Sequence, residues 1–420
     1  MNFASEGAKT LSNLRLVINS VFCPENKRGC GSMTERADFV VVGLGAMGSA
    51  VLYQLAKRGA DVIGVDRFAP PHQMGSSHGE TRITRQAVGE GGAYAPLVLS
   101  SHRIWRELEG DTGERLLSDC GVLVMGPGTG STSHHGKPDF VARSIEVARG
   151  FGIVHEVLDG AEVGRRFPQF LGLAGNEKAY YEPDGGYVFP ERCIKAQLMR
   201  AAQLGAQVRT GLEVRSISQQ GSVRIETSDG TIEAGQMVVS AGSWTAPLLG
   251  APFDRLLTVN RQVLHWYELD DLTAYGPNAP AFIWMHGATD VDYFYGFPPL
   301  PGDHRVKVAT EQYETRTTAD TINREVDPVE SEAMYRKHVQ GRLAGAKPRV
   351  AHAAACLYTV TPDRGFIIDR HPRHDRVFVI SACSGHGFKH SAGIGDVVAE
   401  RLTEGHNQVD LTAFSIARFA

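Results

Sequence analysis

The 420-residue chain has no excess of either charge: 43 Lys and Arg stand against 47 Asp and Glu, a formal net charge of −4. That balance leaves no electrostatic footprint for nucleic acid or an anionic membrane surface, so neither is expected as a partner. Cysteine is sparse. Six residues, Cys23, Cys30, Cys120, Cys193, Cys356 and Cys383, are too few in a chain of this length for a disulfide framework. No CxxC pair suggests zinc, so no metal is expected, and the reducing setting of the cytoplasm is. No apolar run approaches the roughly 18 to 20 residues of a membrane span. The short run Leu14-Arg15-Leu16-Val17-Ile18 has no clear cleavage site behind it and makes a poor secretory signal. Internal repeats and low-complexity tracts are missing too.

Glycine, by contrast, is abundant: 47 in 420 residues, about 11% against a usual value of roughly 7%. Hydrophobic residues at 42% and charged residues at 21% are those of a globular chain with a real core. At roughly 150 residues per domain, the length suggests two or three domains. The first patterned segment follows Met33, so residues 1–33 are read as a disordered or mis-assigned extension that takes Cys23 and Cys30 with it.

Phe39-Val40-Val41-Val42 is a β-branched run suited to a strand buried on both faces. Gly43-Leu44-Gly45-Ala46-Met47-Gly48 follows. Met47, Val51, Leu52, Leu55 and Ala56 then recur at helical spacing up to Gly59, a natural C-terminal cap. A second strand, Ala60 to Val65, ends in Asp66, about 20 residues beyond the glycines as a dinucleotide fingerprint requires. Its parts have physical reasons. The glycines let the backbone approach a pyrophosphate, the helix N-terminus offers free N–H groups, and the acid accepts from a ribose hydroxyl. A carboxylate would repel a 2′-phosphate, which disfavours NADP and leaves NAD or FAD.

Gln207 to Ile217 and Val223 to Thr227 read as hairpin elements, and Gln236 to Ser240 as another buried strand before Ala241-Gly242-Ser243-Trp244. A last strand from Arg376 to Ser381 leads into Gly385, Gly387, Gly393 and Gly395, and a helix is expected from Asp396 to Leu402. The stretches Gly126 to Gly130 and Pro298 to Gly302 read as short linkers. Dinucleotide-fold material recurring in separated places predicts an interleaved α/β protein.

With these residues in view, the chain resembles the monomeric sarcosine oxidase and N-methyltryptophan oxidase family, among the D-amino-acid-oxidase-like flavoproteins. The resemblance runs from Met33 onward. It rests on the Gly43 fingerprint, on Pro70-Pro71-His72 and Ser76 through Arg85, on Cys356-Leu357-Tyr358-Thr359 with Pro362-Asp363 and Phe366 to Asp369, and on Ser384-Gly385-His386-Gly387-Phe388-Lys389. It implies a Rossmann-like FAD-binding domain, of the D-amino-acid-oxidase/glutathione-reductase type, from residues 34–118, 186–249 and 350–420. A substrate domain on a mixed β-sheet would comprise residues 119–185 and 250–349. It also implies FAD held by Gly43, Gly45, Ala46, Met47, Gly48, Asp66, Ser77, His78, Val214, Trp244, Gly385, Gly387 and Lys389, with a thioether from Cys356 to the flavin 8α-methyl.

A thiolate is the nucleophile such a tether needs, so cationic neighbours, Arg82 and His78, are expected to lower the Cys356 pKa. Cys383 reads as core packing. Arg85 and Lys389 match the family's clamp on the substrate carboxylate, a planar two-pronged donor plus a compact charge; read without the family, each is an ordinary salt bridge. Lys307, downstream of Tyr295-Gly296-Phe297-Pro298 with one residue inserted, matches its oxygen-activating lysine, where positive charge is useful because charge develops there. Tyr295 and Tyr358 match two tyrosines beside the substrate. Glu311 departs from the family, which carries a histidine at that position; the acid is free to pair with a substrate amine, with Lys307, or to face solvent.

The expected reaction is oxidation of a secondary N-methyl amino acid to an imine that hydrolyses, with O2 reduced to H2O2, by a monomer. Alternatives are a cyclic imino acid oxidase for pipecolate or proline, an amino acid dehydrogenase, and, outside enzymes, a flavin-binding redox sensor or a subunit of a larger oxidase.

Overall fold

A computed structural model describes residues 34–128, 133–287 and 289–420. The N-terminal extension, with Cys23 and Cys30, and the Thr129-Gly130 end of one expected linker lie outside the described residues. Strand β1, Glu35–Val42, alternates in burial and then sinks wholly at its C-terminal end. Helix α1, Ala46–Lys57, is buried from Gly48 to Ala56. Strand β2, Val62–Asp66, is buried throughout and pairs in parallel with β1. α1 can be this apolar because it is covered by the sheet and by two further helices, Pro190–Gln203 and Ser391–Glu404.

β1 and β2 belong to an eight-stranded sheet whose other strands come from residues 207–239 and 367–381. Strand Gly230–Val239 lies parallel to β1, and strand His374–Ser381 lies parallel to Gly230–Val239. The Val214–Gln220 and Ser222–Thr227 strands form a hairpin. Gln207–Thr210, expected in that hairpin, instead pairs in parallel with β2 at the sheet edge; helix Pro190–Gln203 delivers it there as a crossover.

A second eight-stranded sheet runs, in spatial order, through Ala346–Val360, Thr258–Leu269, Arg305–Ala309, Tyr293–Phe297, Ala281–Met285, Val122–Pro127, Glu177–Glu182 and Glu156–Asp159. Its pairs are antiparallel except one, Ala281–Met285 beside Val122–Pro127, so the sheet is mixed, as expected. Two expected linkers are part of it. Gly126 and Pro127 end a strand, and Pro298 to Gly302 falls in the loop of a hairpin between two paired strands. Ala346–Val360 also belongs here, so the last contribution to the first sheet begins at Ile367.

The glycine-rich lead-in expected near Gly393 and Gly395 is helix. It begins at Ser391, and the two glycines face inward because a Cβ on Gly393 would overlap the Leu97 carbonyl, and one on Gly395 would lie 2.6 Å from the Ala50 carbonyl carbon. Glycine is there for close helix packing. No helix among the described residues is long and apolar enough to cross a membrane.

Candidate active site

A cleft of about 490 Å³ opens at the C-terminal ends of the first sheet's strands, with Tyr358 and Thr359 of the second sheet on its wall. Its wall includes Gly43, Gly45, Ala46 and Met47 from the turn and helix α1 and Asp66 from the end of β2, then Ser77 and Arg82, then Val214 and Trp244, then Tyr358, Cys383, Gly385 and Gly387. Gly43 adopts φ +85°, and a Cβ there would sit 2.6 Å from the Ser240 carbonyl oxygen. Gly48 does not line the cleft; a Cβ on it would overlap the Gly43 carbonyl, so its role is to seat α1 against the turn. The helix starts at Gly45 with no side-chain cap and no acid in its first turn, leaving N–H groups free toward the cleft.

Asp66 uses its two oxygens to accept from Leu44 N (2.7 Å) and Phe68 N (2.8 Å), which fixes the glycine turn. Carboxylate oxygens carry a second lone pair each, so capacity for a ribose hydroxyl remains. Close backbone approach, uncapped N–H groups and an acid at the second strand's end fit the pyrophosphate and ribose of FAD.

The second sheet places the remaining candidates by period-two alternation. Cys356 and Tyr358 share a face of one strand, Lys307 and Ala309 a face of another, with Leu264 and Trp266 opposite Ala309 and Lys307. Glu311 follows two residues beyond the end of the Lys307 strand. It cannot reach Lys307, because four extended residues span about 13 Å, and it does not face solvent, being 7% exposed.

Lys307 Nζ donates to Gly79 O (2.5 Å), Thr81 O (2.8 Å) and Thr81 Oγ1 (3.1 Å), and lies over the Phe297 and Trp266 rings. Burial, then Arg82, push its ammonium well below the usual lysine range. Two backbone carbonyls, which can only accept, and the Thr81 hydroxyl nevertheless take up the three N–H bonds of the charged form, and we take it as charged. Arg82 donates to the backbone carbonyls of Thr81, Ser76 and His78. The Tyr295 and Tyr358 hydroxyls are 3.5 Å apart.

Cys356 reverses the expectation of a lowered pKa. Burial pushes its thiol up to about 11, against the pull of Arg82. His78 supplies no charge, since burial and then Arg82 take its imidazole down to about 3. His78 Nε2 is buried with no partner among the described residues, as for an atom awaiting a ligand. Cys383, expected as core packing, lines the cleft, while Cys356 packs beside it without lining the cleft.

Arg85 and Lys389 are no surface salt bridges. They are 2% and 3% exposed and converge on Glu90. Arg85 Nη2 donates to Glu90 Oε2 at 3.1 Å, and Lys389 Nζ lies 3.7 Å from Glu90 Oε1 while donating to His386 O. Burial would raise the Glu90 carboxyl, but Lys389 and Arg85 outweigh it and hold it well below the usual carboxylate range. Burial takes Lys389 down to about 7, with Glu90 opposing.

Beyond Glu90 lies His135, which no sequence signal had marked. Its Nδ1 is 3.0 Å from Glu90 Oε1 and its Nε2 is 3.0 Å from Glu311 Oε1. Burial opposes protonation of His135, but Glu311 and Glu90 outweigh it and raise its pKa. Tyr293 and Tyr313 donate to Glu311 Oε2 at 2.7 and 2.8 Å. The ligand atoms of His134, His135 and Glu311 lie within 4.8 Å of one another, a grouping that sequence spacing did not suggest. The adjacent histidines in Ser133-His134-His135-Gly136 were the available signal.

The family model described as FAD dependent oxidoreductase matches residues 38–401. The chain belongs to that family. This FAD-dependent oxidoreductase is 38% identical over 390 residues to a monomeric sarcosine oxidase of Bacillus sp. (strain B-0618), covering 92% of this chain and 97% of the relative. It is 33% identical over 388 residues to an N-methyl-L-tryptophan oxidase of Yersinia pestis (strain Pestoides F), covering 91% and 99%. Among solved structures, the open form of NikD, an amino acid oxidase, superposes with a TM-score of 0.77 at 23% identity, covering 91% of this chain and 98% of that one, which supports the fold.

Because Lys389 discharges as pH rises through about 7, binding of a simple monocarboxylate to the oxidised holoenzyme should weaken between roughly pH 6 and 8.5. Lys389→Met should abolish that dependence and weaken binding at the acid end by about 1.5–3 kcal/mol, read from flavin absorbance titrations. Unchanged affinity across that range would remove Lys389 from the clamp.

Proposed function

We propose that this FAD-dependent oxidoreductase is an oxidase of small secondary amino acids, N-methyl amino acids such as sarcosine or N-methyltryptophan. The carrying observation is the buried pair Arg85 and Lys389 already holding a carboxylate, that of Glu90, beside the cleft. Two buried cations sharing one acceptor form a ready seat for a substrate carboxylate. The relatives named for oxidation of sarcosine and N-methyltryptophan support the same substrate class.

In this reading Arg85 and Lys389 fix the carboxylate, and with it the amine-bearing carbon, in one orientation. The Tyr295 and Tyr358 hydroxyls border that carbon, and Arg82 keeps a positive charge on the cleft wall. Bound FAD supplies the two-electron acceptor for the amine and passes the electrons to O2, giving H2O2. The substrate thereby loses two electrons and two protons to become an imine, and water cleaves the imine to an amine and a carbonyl compound. Lys307 places its charge where O2 reduction builds negative charge. The enzyme acts as a cytoplasmic monomer, with an FAD-binding domain from residues 34–118, 186–249 and the C-terminal segment, interleaved with a substrate domain.

The cofactor is tethered through Cys356. Its raised thiol pKa makes the thiolate scarce before the cofactor arrives, so attachment depends on the field of Arg82 and Lys307 within the assembled site.

Purified holoenzyme with sarcosine, N-methyltryptophan, pipecolate and proline should release H2O2 in air with the N-methyl substrates preferred. Anaerobic bleaching without peroxide in air would instead identify a dehydrogenase, and bleaching by none would sink the oxidase reading. Acid-precipitated wild type and Cys383→Ser should stay yellow while Cys356→Ser loses its colour; the reverse pattern would move the tether to Cys383.

A further inference from the structure

The buried charges beside the cleft alternate in a row: Glu311, His135, Glu90, then Arg85 with Lys389. A zwitterionic amino acid seated with its carboxylate on Arg85 and Lys389 reproduces that alternation if its ammonium lies on Glu311. His135 and Glu90, bonded to each other at 3.0 Å, together carry one positive and one negative charge and so have the charge pattern of such a substrate.

The position is right for it. A Cβ on Gly385, which lines the cleft, would lie 2.7 Å from Glu311 Oε1, 3.0 Å from the Tyr358 ring and 3.2 Å from His135 Nε2. Glu311 and His135 therefore meet at the cleft wall beside Tyr358. Glu311 is held there rigidly, because Tyr293 and Tyr313 both donate to its other oxygen and leave Oε1 for a cation. Unpaired, so buried a carboxylate would be costly, so some cation must sit on it before a substrate binds.

His135 is suited to leave. It sits at the tip of a two-residue turn between the minimal strands Ser133–His134 and Lys137–Pro138, at φ +52° with Gly136 at φ +71°. That tip pairs with no strand of either large sheet.

Resting on the proposed amino acid oxidation, we propose that Glu311 is the ammonium-recognising residue of the substrate site and that His135 is a tethered stand-in for the ammonium, which the substrate displaces. The site thus selects zwitterionic amino acids over carboxylates lacking a cationic nitrogen.

The test uses two ligands of the same shape, dimethylsulfonioacetate, permanently cationic and unable to form an imine, and the neutral 3-methylbutanoate. Their dissociation constants are read from the flavin absorbance of oxidised holoenzyme. Wild type should bind the cationic ligand about tenfold or more tightly than its isostere. Glu311→Gln should abolish the preference. His135→Ala, and His135→Gln as a conservative variant, should tighten the cationic ligand severalfold and leave the neutral one within about twofold. Equal wild-type affinities, binding of neither ligand, a preference surviving in Glu311→Gln, or a stoichiometric transition metal held by His134, His135 and Glu311 would each overturn the assignment. Amino acid turnover without the preference would sink this inference alone, whereas the preference without turnover would support it and sink the oxidase reading.

Discussion

Buried charge has to be compensated within the protein, and in this enzyme that requirement organises the row of charged groups beside the cleft. Glu311, His135, Glu90, Arg85 and Lys389 are each between 2% and 7% exposed. Removing water from any of them alone would cost several kcal/mol. They are tolerable only as an alternating row, in which every carboxylate has a cation at hydrogen-bond or ion-pair distance. In the proposed reading the same condition makes the row a recognition device, because a ligand of matching charge order would replace its members without leaving a charge bare.

The scaffold brings the row against the cleft by ordinary means. Arg82–Thr84 is a strand edge in a small three-stranded sheet, and Arg85 follows it directly. Lys389 stands in the short helix that opens the C-terminal helix Ser391–Glu404. Glu311 lies two residues beyond the end of the strand carrying Lys307. The dinucleotide side depends on a different constraint, close backbone approach at Gly43 and Gly48, where a side chain would strike a carbonyl oxygen.

Local signals in the sequence were enough for the dinucleotide side. Strand, glycine turn, helix and acid lie next to one another in the chain, so spacing alone singled out Gly43, Gly45 and Asp66, which line the cleft, and family resemblance marked Arg85 and Lys389. The charge row was not legible, because its links join residues far apart in sequence: Glu90 with His135, and His135 with Glu311. The adjacent His134 and His135 were a signal without a partner, because Glu90 and Glu311 lie 45 and 176 residues from His135. Gly393 and Gly395 misled for the opposite reason, since glycine inside a packed helix resembles glycine in a loop when its neighbours Leu97 and Ala50 are unknown. The Cys356 pKa went the wrong way because sequence shows nearby cations but not the burial that outweighs them.

The central claim is that an internal carboxylate occupies the seat of the substrate's. The most direct measurement is the dissociation constant of a simple monocarboxylate for Glu90→Gln holoenzyme, read from flavin absorbance. Neutralising the internal competitor should tighten binding about tenfold relative to wild type. Weaker binding in the variant would contradict the claim.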